Sequence, residues 1–128
     1  MLQNMKAAYL VIAHGSREAE SNESFLEFIK KFRAACPDRH VEYAFLELAK
    51  PLIPEAIERC IRQGAQEIFV IPMMLFPGRH VKEHIPQFIQ DAKMKHPGVD
   101  FHYSSPLADH PMLVSILKEK TTAHDKRR

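Results

Sequence analysis

Histidine and glutamate side chains follow the apolar segments of this chain at the points where strands would end. His14 comes directly after one apolar run, Glu47 follows a second, and His80 follows a third by way of a turn at 76–78. Neutral imidazoles and carboxylates bind divalent transition metals such as Co²⁺, Ni²⁺, Fe²⁺ or Zn²⁺. The same groups accept protons near neutral pH. These residue types therefore predict a metal site or an acid–base site.

Three further candidates lie near these positions or after a fourth apolar segment. Glu83 and His84 are three and four residues beyond His80, and on a helix such pairs share a face. His110 follows the fourth segment. A histidine at a strand end can also simply cap a backbone carbonyl, and an acid in the first turn of a helix is favoured by the helix dipole. We favour a structural or solvated role for Glu83, His84 and His110.

An alternation of strands and helices must position these side chains. We predict strands at 7–13, 41–46, 68–75 and 99–103, and helices at about 21–35, 51–63, 81–94 and 112–120. Ser21, Asn22 or Ser24 would cap the first helix, and Ser24 would form a capping box with Glu27. The alternation predicts an α/β fold with a four-stranded parallel sheet and right-handed crossovers. In such open sheets, ligands bind at the carboxyl ends of the strands.

Length and composition limit the class of protein. The 128 residues are enough for one domain with its own core, and we expect 118–128 to be a flexible charged tail. The hydrophobic and charged fractions, 45% and 27%, are typical of soluble globular proteins, and a net charge of +2 is too small to predict nucleic-acid binding. No apolar run approaches the roughly 20 residues of a membrane span, and the start lacks a signal-peptide pattern. We therefore expect a cytoplasmic protein in which Cys36 and Cys60 are reduced.

Common nucleotide, metalloprotease and hydrolase motifs are absent from the sequence. The chain contains no GxGxxG, GxxxxGK[ST], HExxH or GxSxG pattern. The segment after the first strand, HGSREAES, is also poorly suited to cradling a phosphate, which counts against an unrelated flavodoxin-like binding module.

Four segments in order resemble a known family. They are AHGSR after the first strand, FLELAKP after the second, PMMLFPGRHVKEHIP after the third, and LADHP near the end. Together they resemble the small class II chelatases, the sirohydrochlorin chelatases of the CbiX/SirB type, from about Lys6 to Lys118. The resemblance implies a chelatase-like, flavodoxin-related α/β sandwich. It also implies a lyase that inserts Co²⁺, or Fe²⁺ or Ni²⁺, into the anionic tetrapyrrole sirohydrochlorin without ATP, in cobalamin or sirohaem biosynthesis.

The same resemblance implies roles for particular residues. The metal-binding histidines of the family fall on His14 and His80, and the glutamate of the second motif falls on Glu47; we expect these three residues to be catalytic. The metal is a substrate, so we expect no permanent cofactor. His84 departs from the family, which commonly has Asp there; it could add a third imidazole to the site or face solvent. We expect contacts with sirohydrochlorin from residues around these positions: Ser16, Arg17, Met73, Leu75, Phe76, Gly78, Arg79 and Lys82.

A half-length chain of this kind resembles the forms that pair as homodimers, and we expect a homodimer that binds neither nucleic acid nor membrane. One alternative uses the same pocket without catalysis: a metal or tetrapyrrole carrier. Turnover distinguishes the two, because a carrier binds stoichiometrically and stops.

Overall fold

The computed structural model describes residues 6–122, in which strands and helices alternate as the sequence predicts. The strands are β1 Ala7–Ala13, β2 His40–Phe45, β3 Glu67–Pro72 and β4 Asp100–Tyr103. The helices are α1 Ala19–Ala35, α2 Ile53–Arg62, α3 Arg79–Lys95 and α4 Pro111–Thr121, with a short 3₁₀ helix, Leu107–Asp109, before α4.

The strands form one parallel sheet in the order β2-β1-β3-β4. The predicted four-stranded parallel α/β fold is therefore confirmed. β1 lies inside the sheet, where Val11 pairs with Tyr43 on one side and with Ile71 on the other. The nearly unbroken apolar run of β1 suits a strand that has neighbours on both edges and is covered on both faces.

Side chains that alternate along β1 enter two different cores. Leu10 and Ile12 pack with Ile57 of α2 and Ile85 of α3. Val11 points to the other face, where it packs in a cluster under α1 that includes Phe25, Ile29, Val41 and Phe45. This division follows from the two-residue period of a strand. The two cores hold the sheet rigidly beneath the loops at its carboxyl edge.

The first helix begins earlier than predicted. It starts at Ala19, after Glu18, which makes no side-chain capping bond. Ser21, Asn22 and Ser24 therefore lie inside the helix, and the predicted capping roles are wrong. The hydroxyl of Ser24 instead donates to a carbonyl one turn back in the helix. The capping pattern in the sequence therefore did not predict the helix start. Asn22, one of the predicted caps, uses its side chain to bond the preceding loop at Ser16.

The third strand is shorter than predicted. It ends at Pro72, whereas the apolar run continues to Leu75. The strands on either side of β3 end here. The last residue of β3 that pairs with β1 is Pro72, opposite Ile12, and the last that pairs with β4 is Val70. An apolar run can therefore continue past the point where the sheet ends.

The last helix packs differently from the other three. α1, α2 and α3 each bury apolar residues, whereas α4 buries none. It runs to Thr121, so the first part of the predicted tail is helical, and 123–128 lie outside the described residues. No helix between residues 6 and 122 is both long and apolar enough to cross a membrane.

Candidate functional site

The loops that follow β1 and β2 are locked together at the carboxyl edge of the sheet. The backbone N–H of Glu47 donates to the carbonyl of His14 at 3.1 Å. Gly15 has φ +95°, and a Cβ built there would overlap the carbonyl oxygen of Glu47. The close backbone approach requires glycine, so Gly15 is a site residue that sequence reasoning missed. Its only signal in the sequence was a single glycine two residues after the end of a buried strand.

This backbone contact brings two predicted residues together. His14 Nδ1 lies 3.7 Å from Glu47 Oε2, and the two side chains are 54% and 56% exposed. The distance is longer than a hydrogen bond, so neither group is locked by the other. An exposed imidazole beside an exposed carboxylate can bind a cation or transfer a proton.

Asn22 and Ser16 hold the loop between β1 and α1. The Asn22 side chain accepts a hydrogen bond from the Ser16 N–H at 3.0 Å and donates one to the Ser16 carbonyl at 2.9 Å. The Ser16 hydroxyl accepts from the N–H of Glu18 at 3.1 Å. Ser16 is thus occupied with its own loop, while the next predicted contact residue, Arg17, is exposed.

The first turns of α3 carry the second group of candidates. α3 follows Gly78, and the rings of His80 and His84 lie with their centroids 3.6 Å apart at an interplanar angle of 59°. Glu83 pairs with Arg79 at 3.5 Å on the open surface, with the two side chains 68% and 93% exposed. Glu83 is thus a solvated helix acid, as the sequence indicated, and Arg79 is held only by a surface ion pair.

A shallow groove lies beside this turn. It has a volume of about 220 Å³, and Lys82 brings a positive charge to it. Its lining comes from the β3–α3 loop and the segment before α4: Leu75, Phe76, Pro77, Lys82, Pro106, Ala108 and Asp109. A backbone hydrogen bond of 3.2 Å from Leu107 to Met74 joins the two segments. The contribution of Pro106, Ala108 and Asp109 had not been predicted.

The predicted apolar wall is divided by the fold. Leu75 and Phe76 are 47% and 82% exposed at the groove. Met74 packs against the core under α2 and α3, and Met73 against the cluster under α1. Of the four residues 73–76, only Leu75 and Phe76 therefore face outward at this edge.

His110 has a structural task. Its Nδ1 accepts a hydrogen bond of 3.1 Å from the N–H of Met112 and so caps α4. The proline after His110 is also a helix-start signal. The structural role favoured for His110 on the sequence alone is therefore confirmed.

The donor groups at this edge form two separate pairs. One is His14 with Glu47, from β1 and β2, and the other is His80 with His84, after β3. Across residues 6–122, no group of three or more His, Cys, Asp or Glu side chains is close enough to hold a metal. Because β1 is next to both β2 and β3, the two pairs follow neighbouring strands.

Comparison with protein families decides the relationship of this chain. The CbiX family model matches residues 8–124, nearly the whole length. The chain belongs to the CbiX family. The resemblance seen in the four ordered segments is confirmed.

Similar proteins of known name and a similar solved structure give the context. The chloroplastic sirohydrochlorin ferrochelatase of Arabidopsis thaliana is 37% identical over 87% of this chain and 49% of its own length. The sirohydrochlorin cobaltochelatase of Sulfolobus acidocaldarius is 31% identical over 87% of this chain and 86% of its own. The structure of SirB from Bacillus subtilis with Fe³⁺ superposes with a TM-score of 0.82 at 30% identity, covering 92% of this chain and 47% of SirB.

The chain and its relatives differ in length. The chain spans about half or less of the first curated relatives that it matches, and most of the Sulfolobus protein. The likeness to SirB confirms the predicted chelatase-like fold.

Proposed function

We propose that this chain inserts a divalent metal into sirohydrochlorin without ATP, with Co²⁺ as the preferred metal and Fe²⁺ or Ni²⁺ as alternatives. It would act as a sirohydrochlorin cobaltochelatase or ferrochelatase, a lyase, in cobalamin or sirohaem biosynthesis. The observation that carries the proposal is the His14–Glu47 pair, 3.7 Å apart at the carboxyl edge of a CbiX-family sheet. The named activities of the relatives, iron and cobalt insertion, support the substrate class.

The chemistry requires metal delivery and proton removal. The macrocycle loses two pyrrole N–H protons as the metal enters, so one M²⁺ is taken up for two H⁺ released. In the proposed mechanism, neutral His14 and His80 hold the metal on one side of the macrocycle plane. Glu47, beside His14 Nδ1, accepts one of the two protons, and the other passes to water at this exposed edge. The metal is a substrate, and the proposal includes no resident cofactor.

The groove beside α3 suits both the apolar face of the macrocycle and its peripheral carboxylates. The exposed side chains of Leu75 and Phe76 would pack on its apolar face. Lys82, Arg17 and Arg79 would neutralise its peripheral carboxylates, and Arg can do so bidentately. Arg79 would exchange its Glu83 partner for the substrate at little expense, because exposed ion pairs contribute only about 0–1 kcal/mol.

The remaining predicted contact residues would shape the site and support its loops. Ser16 keeps the β1–α1 loop in shape, and Gly78 lets the chain approach the macrocycle closely at the start of α3. Met73 packs with the cluster under α1 and lines a separate groove there. Their predicted contact with sirohydrochlorin is part of the proposal.

The partner in this proposal is a second copy of the chain. A flat macrocycle needs a cleft with two walls, and one chain supplies one edge of polar residues. Two surfaces support pairing: the exposed apolar side of α4, and a groove of about 160 Å³ lined by Val11, Phe28, Phe32, Ile71, Met73 and Leu107. Monomeric proteins rarely leave large contiguous apolar surfaces exposed.

A cytoplasmic location also belongs to the proposal; the free thiols of Cys36 and Cys60 are consistent with it.

The decisive experiment replaces the histidines and follows metal insertion. His14→Ala and His80→Ala should each reduce Co²⁺ insertion to the uncatalysed rate, because each removes a ligand from an exposed position without opening a core cavity. Glu83→Ala is the matched control on the first turn of α3 and should retain most activity. The readout is the absorbance change of the macrocycle on metallation, with circular dichroism as the check of folding.

Two outcomes would contradict the proposal. Wild-type rates in both histidine variants would place the site elsewhere. A single stoichiometric uptake without turnover by the wild-type protein would favour the carrier function instead.

A further inference from the structure

We infer that His80 and His84 together form a two-imidazole chelate for the transition metal at the start of α3, so that His84 is a metal ligand in its own right. The inference rests on the proposed function in one respect, that the bound metal is the one transferred. Its direct observation is the contact between the two rings, whose centroids lie 3.6 Å apart.

The positions of the two histidines suit chelation. Residues four apart on a helix face the same direction, and both side chains are exposed at the carboxyl edge of the sheet. Metal–imidazole bonds are about 2.0–2.1 Å long, so the two rings must turn apart from their present contact to bind one ion. Both side chains are exposed and can make that turn. Imidazole is a suitable ligand for Co, Ni, Fe and Zn.

The remaining histidines make this pair stand out. Each of the others between residues 6 and 122 has a polar partner: His14 with Glu47, His40 with Glu42, His96 with Glu58, His102 with Glu67, and His110 with the N–H of Met112. Within that same part of the chain, His80 and His84 form no hydrogen bond or ion pair, and each has only the other ring beside it. Their nitrogens are therefore available to a cation.

The charges around the pair partly offset one another. Arg79 and Lys82 flank the two histidines and would repel a divalent ion, but Glu83 offsets the charge of Arg79 through their 3.5 Å ion pair. The two histidines thus lie in a turn whose nearest charged side chains partly cancel.

Two imidazoles also suit a metal that must be released. A complete cage of protein ligands would retain the ion, whereas two ligands leave coordination positions for water, for His14 and for the nitrogens of the macrocycle. No third His, Cys, Asp or Glu side chain of the described chain joins the pair. His84 would therefore increase metal capture while leaving transfer possible.

The test uses Co²⁺ alone, without sirohydrochlorin, on the full-length protein. Calorimetric titration of wild type, His80→Ala and His84→Ala should show at least about a tenfold weaker Kd in each variant, since loss of a chelating ligand removes at least about 1.4 kcal/mol. Gln87→Ala, at an exposed and uncharged position further along α3, is the control and should bind Co²⁺ as the wild type does. Paramagnetic broadening by Co²⁺ should centre on the first two turns of α3 in the wild type and weaken there in His84→Ala.

The outcomes separate this inference from the proposed function. Unchanged Co²⁺ binding in His84→Ala would overturn the inference, even if the enzyme inserts metal. Binding that depends on both histidines, in a protein without insertion activity, would support the chelate and overturn the proposed function. Broadening centred away from α3 would also overturn the inference.

Discussion

Gly15 is the residue of the candidate site least able to accept a side chain. We expect Gly15→Ala to lower the free energy of unfolding by at least about 2 kcal/mol, since it combines a positive φ with overlap on the Glu47 carbonyl. Gly64 also has a positive φ, +101°, but nothing lies within 4 Å of a Cβ built there, so Gly64→Ala should cost only about 1 kcal/mol. Urea denaturation compares the two variants.

A third glycine substitution is the control for this comparison. Gly78→Ala should change stability little, since Gly78 has an ordinary φ of −68° and no atom within 4 Å of a built Cβ. Equal losses in Gly15→Ala and Gly64→Ala would mean that the β1–α1 loop moves to relieve the overlap.

Cys60 gives a second prediction at the scale of a residue. Burial, with a smaller contribution from the negative charge of Glu42, raises the pKa of the Cys60 thiol to about 12. A raised pKa keeps the reactive thiolate scarce at pH 8. A thiol reagent at that pH should therefore modify the half-buried Cys36 first, and Cys60 only when the protein unfolds. Two equally fast thiols in the folded protein would contradict this expectation.

At the scale of an element, the start of α1 depends on a side chain that acts outside the helix. Asn22→Ala removes two hydrogen bonds to Ser16 and should lower the free energy of unfolding by about 1–2 kcal/mol. Ser21→Ala should change it by less than about 0.5 kcal/mol, because Ser21 is an exposed helix residue and not a cap. Chemical denaturation of both variants makes the comparison. A larger loss for Ser21→Ala would restore the capping role that the sequence had predicted.

At the scale of the whole molecule, α4 is the element whose surroundings are incomplete. Its apolar residues Met112, Val114, Ile116 and Leu117 are 63%, 70%, 46% and 57% exposed. In the proposed homodimer, Leu117→Glu should shift the molar mass measured by light scattering toward the monomer. Ser115→Glu is the control on the polar side of the helix and should leave the dimer intact. Wild-type protein that is monomeric at micromolar concentration and fully active would contradict the pairing.

The order and type of the elements could be predicted from the sequence, and so could the candidate site in outline. Apolar runs such as that of β1 and helical spacing such as that of Phe25 and Ile29 are local properties of the chain. Glycine and proline stops, such as Gly64 after α2, are local as well. Element ends were less accurate at α1 and β3, where a loop bond from Asn22 and the lengths of the neighbouring strands decided the boundary.

The sequence by itself determined the parallel α/β architecture and the order in which His14, Glu47 and His80 reach one edge of the sheet. The tertiary structure decided which of these side chains meet. It paired His14 with Glu47, set His80 against His84, and turned Met73 away from the groove that contains Phe76. The physical reason is that residue type and periodicity act over a few neighbouring positions. The distance between two side chains on different loops depends instead on strand register and on close backbone approaches, such as that of Gly15 to Glu47, which form only when the sheet assembles.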